Sequence, residues 1–100
     1  MTNISVAKLK ERISNNETIH LLDVREPEER AVFNIGGNFI PLGNIMAMQA
    51  DEIDNLKNEE IICYCRSGKR SVQAALMLET MGFTKLVNLE GGMIAWQEGM

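Results

Sequence analysis

Two hydrophobic patterns alternate along the chain. Short, nearly unbroken apolar runs are separated by segments in which apolar residues recur every three or four positions. The runs "TIHLLDV" (18–24), "EIICYC" (60–65) and "KLVNL" (85–89) have the length and composition of strands covered on both faces. The run at 60–65 is the strongest of them. "GGNFIPLG" (36–43) is a shorter apolar stretch bounded by glycines, and Pro41 restricts it to a strand end or an edge piece. Helical spacing begins after Ser5, which can cap a helix carrying Val6, Leu9 and Ile13 on one stripe. In "EPEERAVF" (26–33), Pro27 fits a first helical position, and Glu28 and Glu29 suit the positive end of the helix dipole. A weaker helix is predicted from about Ala47 to Leu56, with Ile53 and Leu56 inward. "RSVQAALMLETMG" (70–82) predicts a helix that is apolar nearly all round and ends at Gly82. Gly91 and Gly92 open a last short helix, "MIAWQEGM".

Four or five short strands alternating with four or five helices imply an α/β fold with parallel pairing and crossover helices. Ligand sites in such sheets lie outside the carboxyl ends of the strands. Cys65 occupies such a place, at the end of the strongest strand and just before a helix. The 100 residues are enough for one domain, read as 1–100, and show neither an internal repeat nor a low-complexity linker.

Composition removes several function classes. A hydrophobic fraction of 45% with 24% charged residues is that of an ordinary globular protein. A formal charge of −4 argues against binding nucleic acid or an anionic membrane, which needs a broad basic face. No apolar run is long enough to span a bilayer, and the start does not read as a signal peptide. Two cysteines without a secretory signal point to a reducing, cytoplasmic setting, and a Cys63–Cys65 disulfide would be badly strained.

Against that acidic background, "CYCRSGKRS" (63–71) places Arg66, Lys69 and Arg70 within five residues of Cys65. A tight turn helped by Gly68 aims successive backbone N–H groups inward, and the helix N-terminus adds positive potential. Together with the three cations this favours thiolate over thiol, so the pKa of Cys65 is expected to be depressed. A thiolate in a cationic cup can attack an electrophile that arrives as an anion, and the same donors can hold the charge of the product. The bland alternative is a basic surface loop beside a structural cysteine. The local charge density and the strand-to-helix position weigh against it.

Other residues read more plainly. Cys63 is expected to be a buried strand cysteine rather than a resolving thiol or metal ligand, since a metal site would need two further ligands and only His20 remains. His20 is read as tucked into its strand. Arg25 either adds to a positive rim at the site or pairs with a nearby acid, and Asp23 orders backbone turns. Trp96 is expected to anchor the final helix. The methionines are core filler, although Met46 and Met48 could line a partner-docking face.

"CRSGKRS" after "IICYC" resembles the active-site loop of rhodanese-domain sulfurtransferases. "LLDVREPEE" (21–29), "IGGNFIPLG" (35–43) and "LEGGMIAW" (89–96) resemble the family's second-strand, third-strand and C-terminal signatures, in the family's order. The chain departs from the pattern at "FNIGGNFIP", where many members carry Gly-His-Ile. The length is similar to that of a single-domain rhodanese, not the tandem form. The resemblance implies a five-stranded parallel sheet with helices on both faces. It implies that the Cys65 thiolate attacks the sulfane sulfur of a donor such as thiosulfate, releases sulfite, and carries a persulfide cradled by the N–H groups of residues 66 to 70. Cyanide or a cellular thiol would take the outer sulfur. Arg66 and Arg70 would bind the anionic donor with Lys69 in support, Ser67 and Gly68 would form the loop, and Arg25 would border it. No metal or organic cofactor is implied.

Three rivals follow from the same loop. The first is a cysteine phosphatase or arsenate reductase; tyrosine-phosphatase-like loops need Cys, five residues, then Arg, whereas here the sixth position is Ser71 and Arg70 arrives one residue early, and the shorter loop makes a smaller cup, better suited to one persulfide sulfur than to a tetrahedral phosphate. A non-enzymatic docking module commonly lacks the nucleophile, whereas Cys65 is present. A persulfide carrier serving a sulfur-relay protein is not separated from an enzyme by sequence.

Overall fold

A computed structural model describes residues 1–99. Five strands form one sheet: β1 (Thr2–Ile4), β2 (His20–Asp23), β3 (Asn38–Phe39), β4 (Glu60–Tyr64) and β5 (Lys85–Leu89). Their order is β1-β5-β4-β2-β3, and every neighbouring pair is parallel. The helices are α1 (Val6–Ser14), α2 (Pro27–Val32), α3 (Leu42–Met46), α4 (Lys69–Thr80) and α5 (Gly92–Glu98), with a 3₁₀ segment at Asp51–Leu56. The five-stranded parallel sheet expected from the sequence is therefore present.

Burial explains why the central strands read so clearly. In β4, Ile61 and Cys63 face one side of the sheet with Cys65 beyond them, packed with Leu22, Val24, Leu86 and the α3–α4 layer. Ile62 and Tyr64 face the other side, with Leu21, Val87, Leu89, Leu9 of α1 and Met93 of α5. Because both faces are covered, apolar residues occupy successive positions instead of alternating with polar ones. The edge strands β1 and β3 are short and mostly exposed at their described positions, which limits pairing with other chains. β1 was not predicted, because a three-residue strand with one buried side chain, Ile4, carries no periodicity.

The helix ends show where sequence patterning succeeds and fails. Ser5 caps α1 as expected, accepting from the Lys8 N–H at 3.1 Å. On that helix Leu9 is fully buried, but Ile13 is 43% exposed and lies off the predicted stripe. α4 ends at Gly82, whose N–H donates to the Glu79 carbonyl while the Phe83 N–H reaches back to Leu78. This paired return is a Schellman motif, and Phe83 and Leu78 share one core. α3 ends in the same way: Met48 N–H donates to Ile45 and Gln49 N–H to Asn44. Met48 takes the left-handed conformation, φ +62°, that glycine or asparagine usually supplies. A stop written with methionine is invisible to composition. The predicted helix over 47–56 is thus corrected to a helix at 42–46, a left-handed turn, and a 3₁₀ segment from Asp51.

Candidate active site

Parallel pairing brings the segments after β2, β4 and β5 to one end of the sheet. The segment after β4 carries Cys65, and α4 begins four residues later. Gly68, in a left-handed conformation, caps α4, so the first-turn N–H groups of the helix turn back toward the sulfur. Cys65 Sγ accepts from the Gly68 N–H at 3.1 Å and from the Ser71 N–H at 3.4 Å. The Ser71 hydroxyl also lies 3.4 Å from it. The sulfur thus takes the place of an N-terminal capping group, where negative charge is favoured.

The protonation of this sulfur follows from two opposed influences. Burial is the larger single one and favours the thiol. The Ser71 hydroxyl, when its proton faces the sulfur, and the N–H groups of Ser71, Gly68 and Ser67 together outweigh it, so the Cys65 thiol is held below its ordinary value of 9.0. The expectation of a lowered pKa is met, but hydrogen bonds rather than the three cations carry it. Cys65 exposes only 1% of its surface, so the sulfur sits on the floor of the loop.

The last helix fixes the loop from behind. The Met93 N–H donates to the Cys65 carbonyl at 2.9 Å and the Ile94 N–H to the Arg66 carbonyl at 3.0 Å. These bonds turn two carbonyls toward α5, away from the ring of donors. The approach requires glycine: a Cβ on Gly92 would stand 2.7 Å from the carbonyl carbon of Arg66. This contact explains Gly92; Gly91, at φ +76°, would instead set a Cβ 2.5 Å from that of Ala95. Trp96 packs against the second core with Lys10 above its ring, as expected for an anchor.

The sequence-predicted cations divide into two classes. Arg70 is a brace: it makes a bidentate ion pair with Glu29 of α2 at 2.7 and 2.8 Å. That pairing holds the Glu29 carboxyl down to about 2. Arg25 is 4% exposed and forks onto the Asp23 carboxylate at 2.9 Å for both bonds, with a third bond to the Phe33 carbonyl. It pairs with an acid, and from that fixed position it also lines the cleft beside Arg66. Asp23 also accepts the Arg25 backbone N–H and the Arg30 guanidinium, so it orders the turn after β2 as expected. Arg66 and Lys69 are exposed, and neither has an ion-pair partner among the described residues. Arg66 borders a cleft of about 410 Å³ between α2 and α5, walled by Val32, Phe33, Met93 and Ile94.

The remaining candidates fall away from the site. His20 pairs in register with Ile61 at the opposite end of the strands, roughly 13 Å along the strand direction from Cys65. Cys63 is fully buried, and burial pushes its thiol up to about 12. Ser71 was missed as a functional residue: it was counted only as the position where a phosphatase would carry arginine. Its place in the first turn of the predicted helix was the available signal.

A model of the rhodanese-like domain matches residues 5–99. The chain belongs to the rhodanese-like family. It is 43% identical over 96 residues to YtwF of Bacillus subtilis, provisionally named a sulfurtransferase, covering 94% of this chain and 88% of that protein. It is 34% identical over 93 residues to a sulfurtransferase of Allochromatium vinosum, covering 93% and 85%. The solved rhodanese-like domain protein of Staphylococcus aureus superposes with a TM-score of 0.81 at 33% identity, over 96% of this chain and 91% of that one. These relatives support a rhodanese-type sulfur-transfer role for the domain. No helix among the described residues is long and apolar enough to cross a membrane.

Proposed function

We propose that this rhodanese domain is a sulfurtransferase that works through a persulfide on Cys65 in a reducing, cytoplasmic setting. The observation that carries the reading is the convergence of the Gly68 and Ser71 N–H groups on one sulfur at the head of α4. In the first half-reaction the Cys65 thiolate attacks the sulfane sulfur of an anionic donor such as thiosulfate. A new S–S bond forms, the donor's S–S bond breaks, and its electron pair leaves with sulfite. In the second, cyanide or a thiolate attacks the outer sulfur and the Cys65 thiolate departs. The N–H groups of Lys69 and Arg70, the first two of α4, have no acceptor among the described residues, and they supply a hold for the charge on the outer sulfur.

Arg66 and Lys69 are the cations available to draw in the donor, while Arg70 keeps the head of α4 braced against α2. A sulfur exposed this little favours a reagent that presents a single atom end-on. That condition suits a terminal sulfane sulfur and disfavours the tetrahedral phosphorus of a phosphate ester. A persulfide carrier is the second reading, favoured by 38% identity to YrkF of Bacillus subtilis, provisionally named a sulfur carrier protein; the chain spans about half of that protein.

Mass spectrometry after thiosulfate treatment tests the proposal. One added sulfur atom is expected on the wild type and none on Cys65→Ser; an added sulfur that survives in the mutant overturns it. Steady turnover to thiocyanate marks the enzyme, and loading without turnover marks the carrier.

A further inference from the structure

The Ser71 hydroxyl stands between two acceptors and has one proton. It donates to Asn88 Oδ1 of β5 while lying 3.4 Å from Cys65 Sγ. Asn88 is 4% exposed, and its Nδ2 donates in turn to Asn3 Oδ1 of β1 at 3.2 Å. The sheet enforces this alignment. Asn88 pairs in register with Asn3 on one side and Cys63 on the other, so the three side chains point to one face of the sheet, Cys63 and Asn88 buried and Asn3 exposed at the edge.

In this direction the chain suits a thiol. The S–H donates to Ser71 Oγ, Ser71 donates to Asn88, and Asn88 donates to Asn3. A thiolate has no proton to give and would meet an oxygen lone pair. Half a turn of the Asn88 amide restores a match. Its Nδ2 then donates to Ser71 Oγ, the hydroxyl swings to the sulfur, and Asn88 Oδ1 accepts from a turned Asn3 amide. An amide carries donors and an acceptor at nearly equivalent positions, so both directions satisfy the buried groups.

We propose that the Asn3–Asn88–Ser71 chain reverses its hydrogen-bond direction with the charge on Cys65, which makes Asn88 a positioning residue that releases the Ser71 proton to the thiolate. The inference rests on the reading of Cys65 as a reactive thiolate, but it concerns protonation and is testable without sulfur transfer. The charged groups around the sulfur are Arg66, Lys69 and Arg70, the last paired with Glu29 of α2. β4 contributes Cys63, β5 contributes Asn88 and β1 contributes Asn3.

Two measurements decide it. In ¹⁵N-labelled protein the Asn88 side-chain amide signals should shift with pH at the midpoint of Cys65 thiolate absorbance, and the shift should vanish in Cys65→Ser. Amide signals that stay fixed through the titration overturn the reversal, whatever the domain does with sulfur donors. The second measurement is the pH dependence of Cys65 alkylation in Asn88→Asp, whose carboxylate accepts but does not donate. We expect about a tenfold lower thiolate fraction at pH 7. In a Ser71→Ala background most of that effect should disappear. A tenfold loss that persists without the Ser71 hydroxyl reports direct charge repulsion and overturns the relay.

Discussion

Cys63 and Cys65 lie two residues apart, on one face of the sheet, and both are buried. Their protonation goes in opposite directions. Burial pushes Cys63 up to about 12, whereas Cys65 is drawn below 9.0 even though burial acts on it too. The difference is what surrounds the sulfur. Cys63 is packed within the apolar core beneath α4; Cys65, one pleat further on, has reached the head of that helix and its unpaired N–H groups. Reactivity is placed by where the strand stops, not by exposure. A buried cysteine at a strand end facing a helix N-terminus is a different chemical object from one a few ångströms below it.

The sharpest way to break this comparison is to exchange the two sulfurs' fates. Cys65→Ser should abolish persulfide formation, while Cys63→Ala should load sulfur at close to the wild-type rate. Loss of loading in both variants would mean that the two thiols act together. Next in size is Gly92→Ala. The added methyl group has no room against the Cys65–Arg66 peptide, so it must displace the loop or the head of α5. We expect sulfur transfer to fall at least tenfold and thermal stability to drop, measured by turnover and by calorimetry.

A smaller effect isolates the hydrogen bonds. Ser71→Ala removes a hydroxyl partner of Cys65 Sγ but leaves the backbone donors. The thiolate midpoint should rise by roughly one unit, equivalent to about 1.4 kcal/mol, in a pH series of alkylation rates. Arg70→Ala should disturb that midpoint less than Ser71→Ala does, because Arg70 is committed to Glu29. A larger shift on losing Arg70 would return the cations to first place.

Stability at the pH extremes tests the same comparison apart from sulfur chemistry. Cys63 has a folded value above its ordinary 9.0, so the unfolded chain releases this proton first. Its contribution therefore falls as pH rises above 9.0 toward about 12, by up to about 1.4 kcal/mol per pH unit. Cys63→Ala should flatten that part of the alkaline slope in urea unfolding. Glu29 has the opposite sign. Its folded value of about 2 lies below 4.5, so its ion pair stabilises above pH 4.5 and the contribution is lost as pH falls through about 2. Glu29→Gln should flatten the acid limb.

The parts legible in sequence were those written in local pattern. β4, α4 and the loop between them announce themselves by an apolar run, a helical stripe and a cluster of cations. β1 was hidden because three residues cannot show a period, and the stop after α3 was hidden because Met48 occupies a left-handed position usually given to glycine. The site was legible as a location but not as a mechanism. Nothing near Arg70 in the chain reveals its partner Glu29, 41 residues earlier, and nothing near Ser71 reveals Asn88, 17 residues on. Sequence therefore ranked Arg70 with Arg66 as a donor-binding residue, and structure separates it as a brace from the exposed Arg66 and Lys69. Sequence supplied the sulfur and the turn; the donors that tune it come from tertiary packing.

One titration tests the central claim most directly. In Cys63→Ala protein, where Cys65 is the only thiol, ultraviolet thiolate absorbance followed against pH should give a midpoint clearly below 9.0 in the folded state and return to the ordinary value in denaturant. A folded midpoint at or above the denatured one would contradict the claim that the head of α4 holds this buried sulfur as an anion.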